Sequence, residues 1–427
     1  MITVAVCGCG ARGLFAYMEY AKRFPDRMKV VAGADIIPER LQLLRELYGV
    51  PEEMCFDSDE ALLAQPKLAD AMLISTMDRQ HAGEAMKALE KGYHLILEKP
   101  ISPVLAECLA LQEKIHETDR FVVVGHVLRY TNFYAKAEEL IRTGAIGKLM
   151  TIAMTENVGW WHFSHSFVRG NWRRDDETSP MLLQKCCHDM DIMRWLAGVP
   201  CKKVQCFGTL SYYKEENAPE GSAARCMDCP LQDSCRFSAK TLYISSPHLG
   251  VRHDHGGWAR VFVPDPTEEN ILEALKTSPY GRCVFRSDNN VADHETVDLE
   301  FENGILGTFT VSAFTERCDR TLKITGTDGE IYGVLGEDRL HLVRFGAGEE
   351  VIDLKKVTDG PEGHGGGDMG LADGFWRLMT GQAEEKTSVD VSIESHVMAL
   401  AAEASREAGG TTVVLEDFVK QADKGNK

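Results

Sequence analysis

The chain lacks any uninterrupted apolar run of the roughly 18 residues that a membrane span needs, so no stretch of it reads as a transmembrane segment. It is also short of positive charge: 47 Lys and Arg stand against 65 Asp and Glu, a formal net charge of -18. Nucleic-acid phosphates and anionic lipid surfaces both attract a basic face, so neither is expected as a partner. No basic leader with a cleavage pattern opens the chain, since Ile2–Val6 is already strand-like, and the expected location is the cytoplasm. An even cysteine count is missing as well. Thirteen cysteines in such a setting do not suggest a disulfide framework. Buried thiols and one metal site are the expected uses.

What is present is the composition of a globular protein, 44% hydrophobic and 26% charged. At 427 residues it is too long for one ordinary core. Two domains are expected, 1–125 and 126–427, the second with an insertion at about 211–290 that has little periodicity.

In the first half, the strand-like Ile2–Val6 runs into Gly8-Cys9-Gly10-Ala11-Arg12-Gly13 and then a helical stretch. This is G-x-G-x-x-G between strand and helix, where glycines allow the turn and the approach of a pyrophosphate, and a helix N-terminus offers free N–H groups. A second strand ends at Asp35, about twenty residues beyond the last glycine, where a carboxylate binds the adenine ribose hydroxyls. Its charge favours NAD over NADP. The strand–helix rhythm continues to a doubly wound parallel sheet. Within it the polar turn Thr76–His81 offers His81 either as a nicotinamide or ribose contact or as a helix cap. The buried strand Leu95–Leu97 stops on Glu98-Lys99-Pro100, at the strand end where open α/β sheets bind ligands. In isolation Glu98 and Lys99 would read as a surface ion pair.

The second half opens with a helix over 132–143 and an alternating strand over Leu149–Asn157. The stretch from Trp160-Trp161-His162 through Arg169 to Trp172-Arg173-Arg174 fits neither the helical nor the strand period and reads as a loop, either a structural plug or a binding surface. Aromatic, imidazole and guanidinium groups together suit sugar rings. Ser179-Pro180 then opens one helix over 181–196 bearing Gln184, Lys185 and His188. Inside the insertion Cys226, Cys229 and Cys235 form C-x2-C-x5-C, a spacing suited to a structural zinc with a fourth ligand among Cys206, Cys283, Cys186 and Cys187. An iron–sulfur cluster or reduced thiols without metal are the alternatives. A meander of strands follows from Glu295, making an α+β domain with a large, mainly antiparallel sheet. His364 is a candidate substrate contact and Asp368 a candidate helix cap.

Taken in order, Gly8-x-Gly10-x-x-Gly13, Ala34-Asp35 with Arg40, Glu98-Lys99-Pro100, Gly125-His126 with Arg129-Tyr130, Ile146-Gly147-Lys148, and His188-Asp189-x-Asp191 before Trp195-Leu196 resemble the Gfo/Idh/MocA oxidoreductases. The resemblance implies an α/β protein: an N-terminal Rossmann domain, a C-terminal domain with a large, mainly antiparallel open sheet, and a homo-oligomer, dimer or tetramer. It implies NAD or NADP held by Gly8, Gly10, Ala11, Arg12, Gly13, Asp35, Arg40, Thr76, His81, Glu98 and Lys99. It also implies oxidation of a ring hydroxyl, or reduction of the ketone, with Lys99 and His188 matching the catalytic pair. Candidate substrate contacts are Arg129, Trp160, Trp161, His162, Arg169, Trp172, Gln184, Lys185 and His364. Gln184 departs from the pattern, which often has aspartate there. The aromatic stretch and the cysteine insertion resemble a branch that oxidises C3 of glycosides. Two rival expectations stand beside the dehydrogenase: a glycosidase that oxidises, eliminates, hydrates and reduces with NAD kept bound, and a sugar and nucleotide sensor without chemistry.

Overall fold

The computed structural model describes residues 1–354 and 366–424. Its first sheet contains β1 (Ile2–Cys7), β2 (Met28–Ala34), β3 (Cys55–Phe56), β4 (Ala71–Ile74), β5 (His94–Leu97) and β6 (Val122–Val124). The order is β3-β2-β1-β4-β5-β6 with every pair parallel. These strands are apolar runs because both faces are covered: Ala5 and Cys7 of β1 enter one core while Val4 and Val6 enter another. The order reverses between β1 and β4, which opens a ligand crevice beyond their carboxyl ends.

The second sheet contains β7 (Leu149–Asn157), β8 (Cys201–Thr209), β9 (His294–Phe301), β10 (Leu306–Ser312), β11 (Asp319–Gly326), β12 (Gly329–Val334), β13 (Arg339–Arg344), β14 (Gly348–Asp353) and β15 (Val413–Val414). Its order is β14-β13-β12-β11-β7-β10-β9-β8-β15, antiparallel except for β7 with β10. Strand alternation puts Ile152, Met154 and Glu156 of β7 on the buried face. One apolar cluster runs from Leu97 and Ile101 through Met190 to Met398 and joins the two sheets. The exposed edge of β6 is covered from the far end of the chain, where Val124 N–H donates to Thr387 O at 2.9 Å.

Three expectations change. The stretch after Trp160 is helical rather than a loop, a turn over Trp160–Phe163 continuing as a wide helix over Ser164–Arg169. Its irregular pattern comes from being packed on nearly all sides, with Phe163, Phe167 and Arg169 fully buried. The single helix expected over 181–196 is two, Met181–Gln184 and Cys187–Ala197, broken at Lys185-Cys186. The insertion carries helices Ala239–Ile244 and Glu268–Thr277 around its own small core, which includes Leu242, Tyr243, Ile271 and Leu275.

Candidate active site

The glycine turn fits a dinucleotide. Gly8 holds φ +89°, and a side chain there would meet Ser75 O at 2.5 Å; one at Gly13 would meet Gly8 O at 2.3 Å. Gly10 faces open space apart from Arg40 Nη1, so the backbone over Gly10 and Ala11, where a helical segment begins, is free to be approached. Asp35 directly follows β2 and is nearly buried, accepting from the N–H groups of Cys9 and Ile37 at 2.9 Å each and pairing with Arg40 Nη1 at 3.3 Å. The glycine turn and Asp35 therefore sit just beyond the carboxyl ends of β1 and β2, beside the reversal of the sheet.

Past β5 the chain makes a cis Lys99–Pro100 bond. The Glu98 carboxylate turns back into the protein, where it pairs with Arg12 and accepts from Tyr17 Oη at 3.0 Å and from Lys99 N–H at 2.6 Å. Burial by itself would raise its carboxyl; Arg12 and then Lys99 outweigh that and hold it below the ordinary value. Arg12 is thereby committed, its Nη2 donating to Asp368 and Tyr17 at 2.8 Å each. Asp368 serves this pair across the fold and is not the cap of its helix, Gly367–Met379. His81 spans the Thr76 and Pro100 carbonyl oxygens at 3.2 and 2.7 Å, tying the polar turn after β4 to the Lys99 segment.

With Glu98 neutralised by Arg12, Lys99 is free to reach the other half of the molecule: its Nζ donates to the Gln184 carbonyl at 2.5 Å. That carbonyl lies at the end of the short helix Met181–Gln184, four residues before His188 in the helix Cys187–Ala197. His188 is buried, its ring 5.8 Å from that of His126, which is 5.8 Å from His396. Burial pushes the imidazolium of His126 down and that of His396 to about 3, so both are neutral neighbours of His188 at physiological pH.

Beneath Gln184 lies a buried charge network. Lys185 Nζ is 3.5 Å from Glu156, Glu156 is 2.5 Å from Arg320, and Arg320 donates to both Asp189 oxygens at 2.8 and 3.3 Å. Burial disfavours charge on Lys185, but Glu156 outweighs it and raises the ammonium above its ordinary value. Burial also pushes Asp189 up to about 6 against the pull of Arg320. Sequence reasoning missed Glu156 and Arg320. Their signal was a charge at a strand position where alternation calls for an apolar residue, Glu156 after Ile152 and Met154, Arg320 before Leu322 and Ile324. Tyr17, partner of Glu98, gave no such signal.

The expected substrate contacts divide. Trp160 and Trp161 hydrogen-bond Glu316, through its carboxylate at 2.9 Å and its carbonyl at 3.0 Å respectively. His162 stacks near Trp161 with Nδ1 3.4 Å from Cys318 Sγ. Trp172 reaches the first half, donating to Asp78 at 3.2 Å. Arg129 is instead spent on a buried bidentate pair with Asp191 at 2.7 Å, beside the Trp195 ring. Arg169 points away into the insertion, donating to Arg282 O and Phe237 O at 2.7 Å. His364 lies outside the described residues. Cys226, Cys229 and Cys235 line one small cavity, though among the described residues no three His, Cys, Asp or Glu side chains are placed so as to hold an ion already.

Comparison with known proteins agrees with this layout. A family model for the NAD-binding Rossmann fold of Gfo/Idh/MocA oxidoreductases matches residues 2–126, and that for their C-terminal alpha/beta domain matches 138–415. A putative oxidoreductase, YteT, from Bacillus subtilis is 22% identical over 86% of this chain and 87% of its own. The scyllo-inositol 2-dehydrogenase (NAD(+)) of the same organism is 27% identical over 72% and 93%. A 2,7-anhydro-N-acetylneuraminate hydratase from Escherichia coli is 27% identical over 46% of this chain and 50% of its own. Among solved structures, an inositol dehydrogenase homologue complexed with NAD+ from Azotobacter vinelandii superposes with TM-score 0.68 at 18% identity, covering 97% of each chain, a likeness of fold. With both halves matched and a Rossmann crevice facing Lys99, this chain belongs to the Gfo/Idh/MocA family of NAD-binding oxidoreductases.

Proposed function

We propose that the protein transfers a hydride between NAD and a secondary ring hydroxyl, C3 of a sugar or glycoside. The observation that carries this reading is the hydrogen bond from Lys99 Nζ to the Gln184 carbonyl, which draws the end of β5 against the segment bearing His188. A secondary alcohol gives up hydride from its carbon only as its oxygen loses a proton. His188 takes that proton as general base, and the Lys99 ammonium stabilises the alkoxide oxygen as charge develops. Lys185, kept charged by Glu156, supplies a second cation nearby. When bound, the nicotinamide supplies the hydride acceptor. Gln184 cannot play the part of a carboxylate, so Lys99 carries more of the electrostatic work. The aromatic face of Trp160–His162 suits the apolar side of a sugar ring.

The hydratase among the relatives favours a second reading, in which the same oxidation at C3 acidifies the C2 proton, the glycosidic bond breaks by elimination, water adds, and the ketone is reduced again. One experiment separates the two. The protein is incubated with NAD and a panel of glucosides and galactosides, and both NADH absorbance and product masses are followed. NADH rising with a product two hydrogens lighter supports the dehydrogenase; free sugar without net NADH supports the second reading. No product despite tight NADH binding would leave a sensor. The same sample gives the assembly by light scattering, where a dimer or tetramer is expected.

For the cofactor, Asp35→Asn keeps the oxygen that accepts from Ile37 or Cys9 but removes the charge that pairs with Arg40 and repels a 2′-phosphate. The ratio of kcat/KM for NAD over NADP is expected to fall on the order of tenfold, about 1.4 kcal/mol. An unchanged ratio would remove Asp35 from the ribose site.

A further inference from the structure

The insertion contains a cluster that the redox chemistry does not use. Cys226 opens a short turn over Cys226–Asp228, Cys229 follows it, and the next turn brings in Cys235. Cys283 arrives from the far end of the insertion by backbone pairing: Arg225 bridges Arg282, and Cys283 N–H donates to Ala224 O at 2.9 Å. All four cysteines line the same cavity of about 20 Å³, room for a single small occupant. The other thiols of suitable spacing are elsewhere. Cys206 lies 3.8 Å from a Glu295 carboxylate oxygen, and Cys186 and Cys187 sit at the helix break beside Asp189 and Lys99.

A second observation comes from Arg169, which lines the same cavity and is fully buried. Its guanidinium donates to two carbonyls and, at 3.5 Å, to Cys226 Sγ; among the described residues Nη1 has no hydrogen-bond partner and no carboxylate pairs with the group. A permanent cation buried without a carboxylate is strongly unfavourable unless another anion faces it. Among the described residues that line the cavity, the cysteine sulfurs are the groups that a bound cation would make anionic. Four thiolates in turn repel one another unless a cation stands between them.

We infer that Cys226, Cys229, Cys235 and Cys283 bind one zinc ion as a four-thiolate site, with Arg169 offsetting part of its net double negative charge. The thiols turn onto the ion when it binds, at the roughly 2.3 Å of a zinc–sulfur bond, since such sites commonly finish ordering with their metal. Because Arg169 ends the helical stretch that begins at Trp160, the ion pins the insertion to that stretch.

The test uses the full-length protein as purified without chelator. Elemental analysis is expected to give one zinc per chain, and alkylation mapped by mass spectrometry is expected to spare these four cysteines until the zinc is removed. Replacing zinc by cobalt should give the visible bands of tetrahedral four-sulfur coordination. Cys283→Ser should weaken retention against a chelator by more than about a hundredfold, while Cys201→Ser, on β8, retains the ion. If Cys283→Ser fails to fold, the alkylation map and the cobalt spectrum of the unmodified chain still identify the fourth ligand. Absence of metal, iron with sulfide in its place, or a protected set without Cys283 would overturn the assignment.

Discussion

Lys99→Met lowers kcat by about 10²–10³-fold, the ~3–4 kcal/mol that one aligned charge or donor at a developing oxyanion supplies, while NAD affinity stays within about threefold. Methionine preserves the length and apolar stem of the side chain and removes only the ammonium, so the strand end and the core beneath it persist. The glycine turn, Asp35 and the Thr76 turn, where the cofactor is proposed to bind, keep a geometry that does not pass through Lys99 Nζ. What is lost is the ammonium proposed to face the substrate oxygen, together with its bond to the Gln184 carbonyl. Stopped-flow turnover and cofactor titration by fluorescence make the split measurable. Equal losses in kcat and NAD affinity would mean that Lys99 serves the cofactor, and near-normal turnover would end the proposed role. His188→Ala is expected to fall by 10²–10⁴-fold, as for loss of a general base, also with NAD binding preserved.

Five strands of the first sheet were legible because each is a mainly apolar run ended by a glycine or a polar turn, which burial on both faces requires, whereas the two half-buried residues of β3 leave no such run. Glu98-Lys99-Pro100 was legible for the same reason: charged residues directly after Leu95–Leu97 have only the strand end to occupy. The helix break at Lys185-Cys186 was not. Apolar positions Leu182, Ile192, Trp195 and Leu196 keep helical spacing through it, and the Gln184 carbonyl it frees is met by a lysine 85 residues away. Nor could sequence tell which way an arginine points. Arg129 and Arg169 stand in motifs rich in polar groups, yet one is held by Asp191 and the other by carbonyls of the insertion. Partners that distant in sequence leave no local trace. The reversal of fortune for Trp160–Arg169, helical where a loop was expected, has the same origin: its larger part, from Phe163 to Arg169, is buried all round and has no polar face to give it a period.

Arg320→Met destabilises the fold by about 3–5 kcal/mol, the loss expected when one partner of a buried ion pair is removed and its counter-charge stays behind. Arg320 lies between Glu156 and Asp189, and all three are almost fully buried. Without the guanidinium, Glu156 keeps Lys185, but Asp189 keeps no cation within ion-pair distance among the described residues. Asp189→Asn added to Arg320→Met removes the buried carboxyl left without its partner, which must otherwise stay charged or take up a proton, and is expected to restore about half of the loss, a coupling of the size that contacting residues show. The measurement is the urea midpoint of each single variant and of the double, compared at unchanged slope. The network also fixes Lys185, next to the carbonyl that receives Lys99, so Arg320→Met should lower kcat even at temperatures where it remains folded, and the double variant should recover stability more fully than turnover. Additive stability losses in the double variant would show that Arg320 and Asp189 act independently, and the network would then be no more than a set of neighbours.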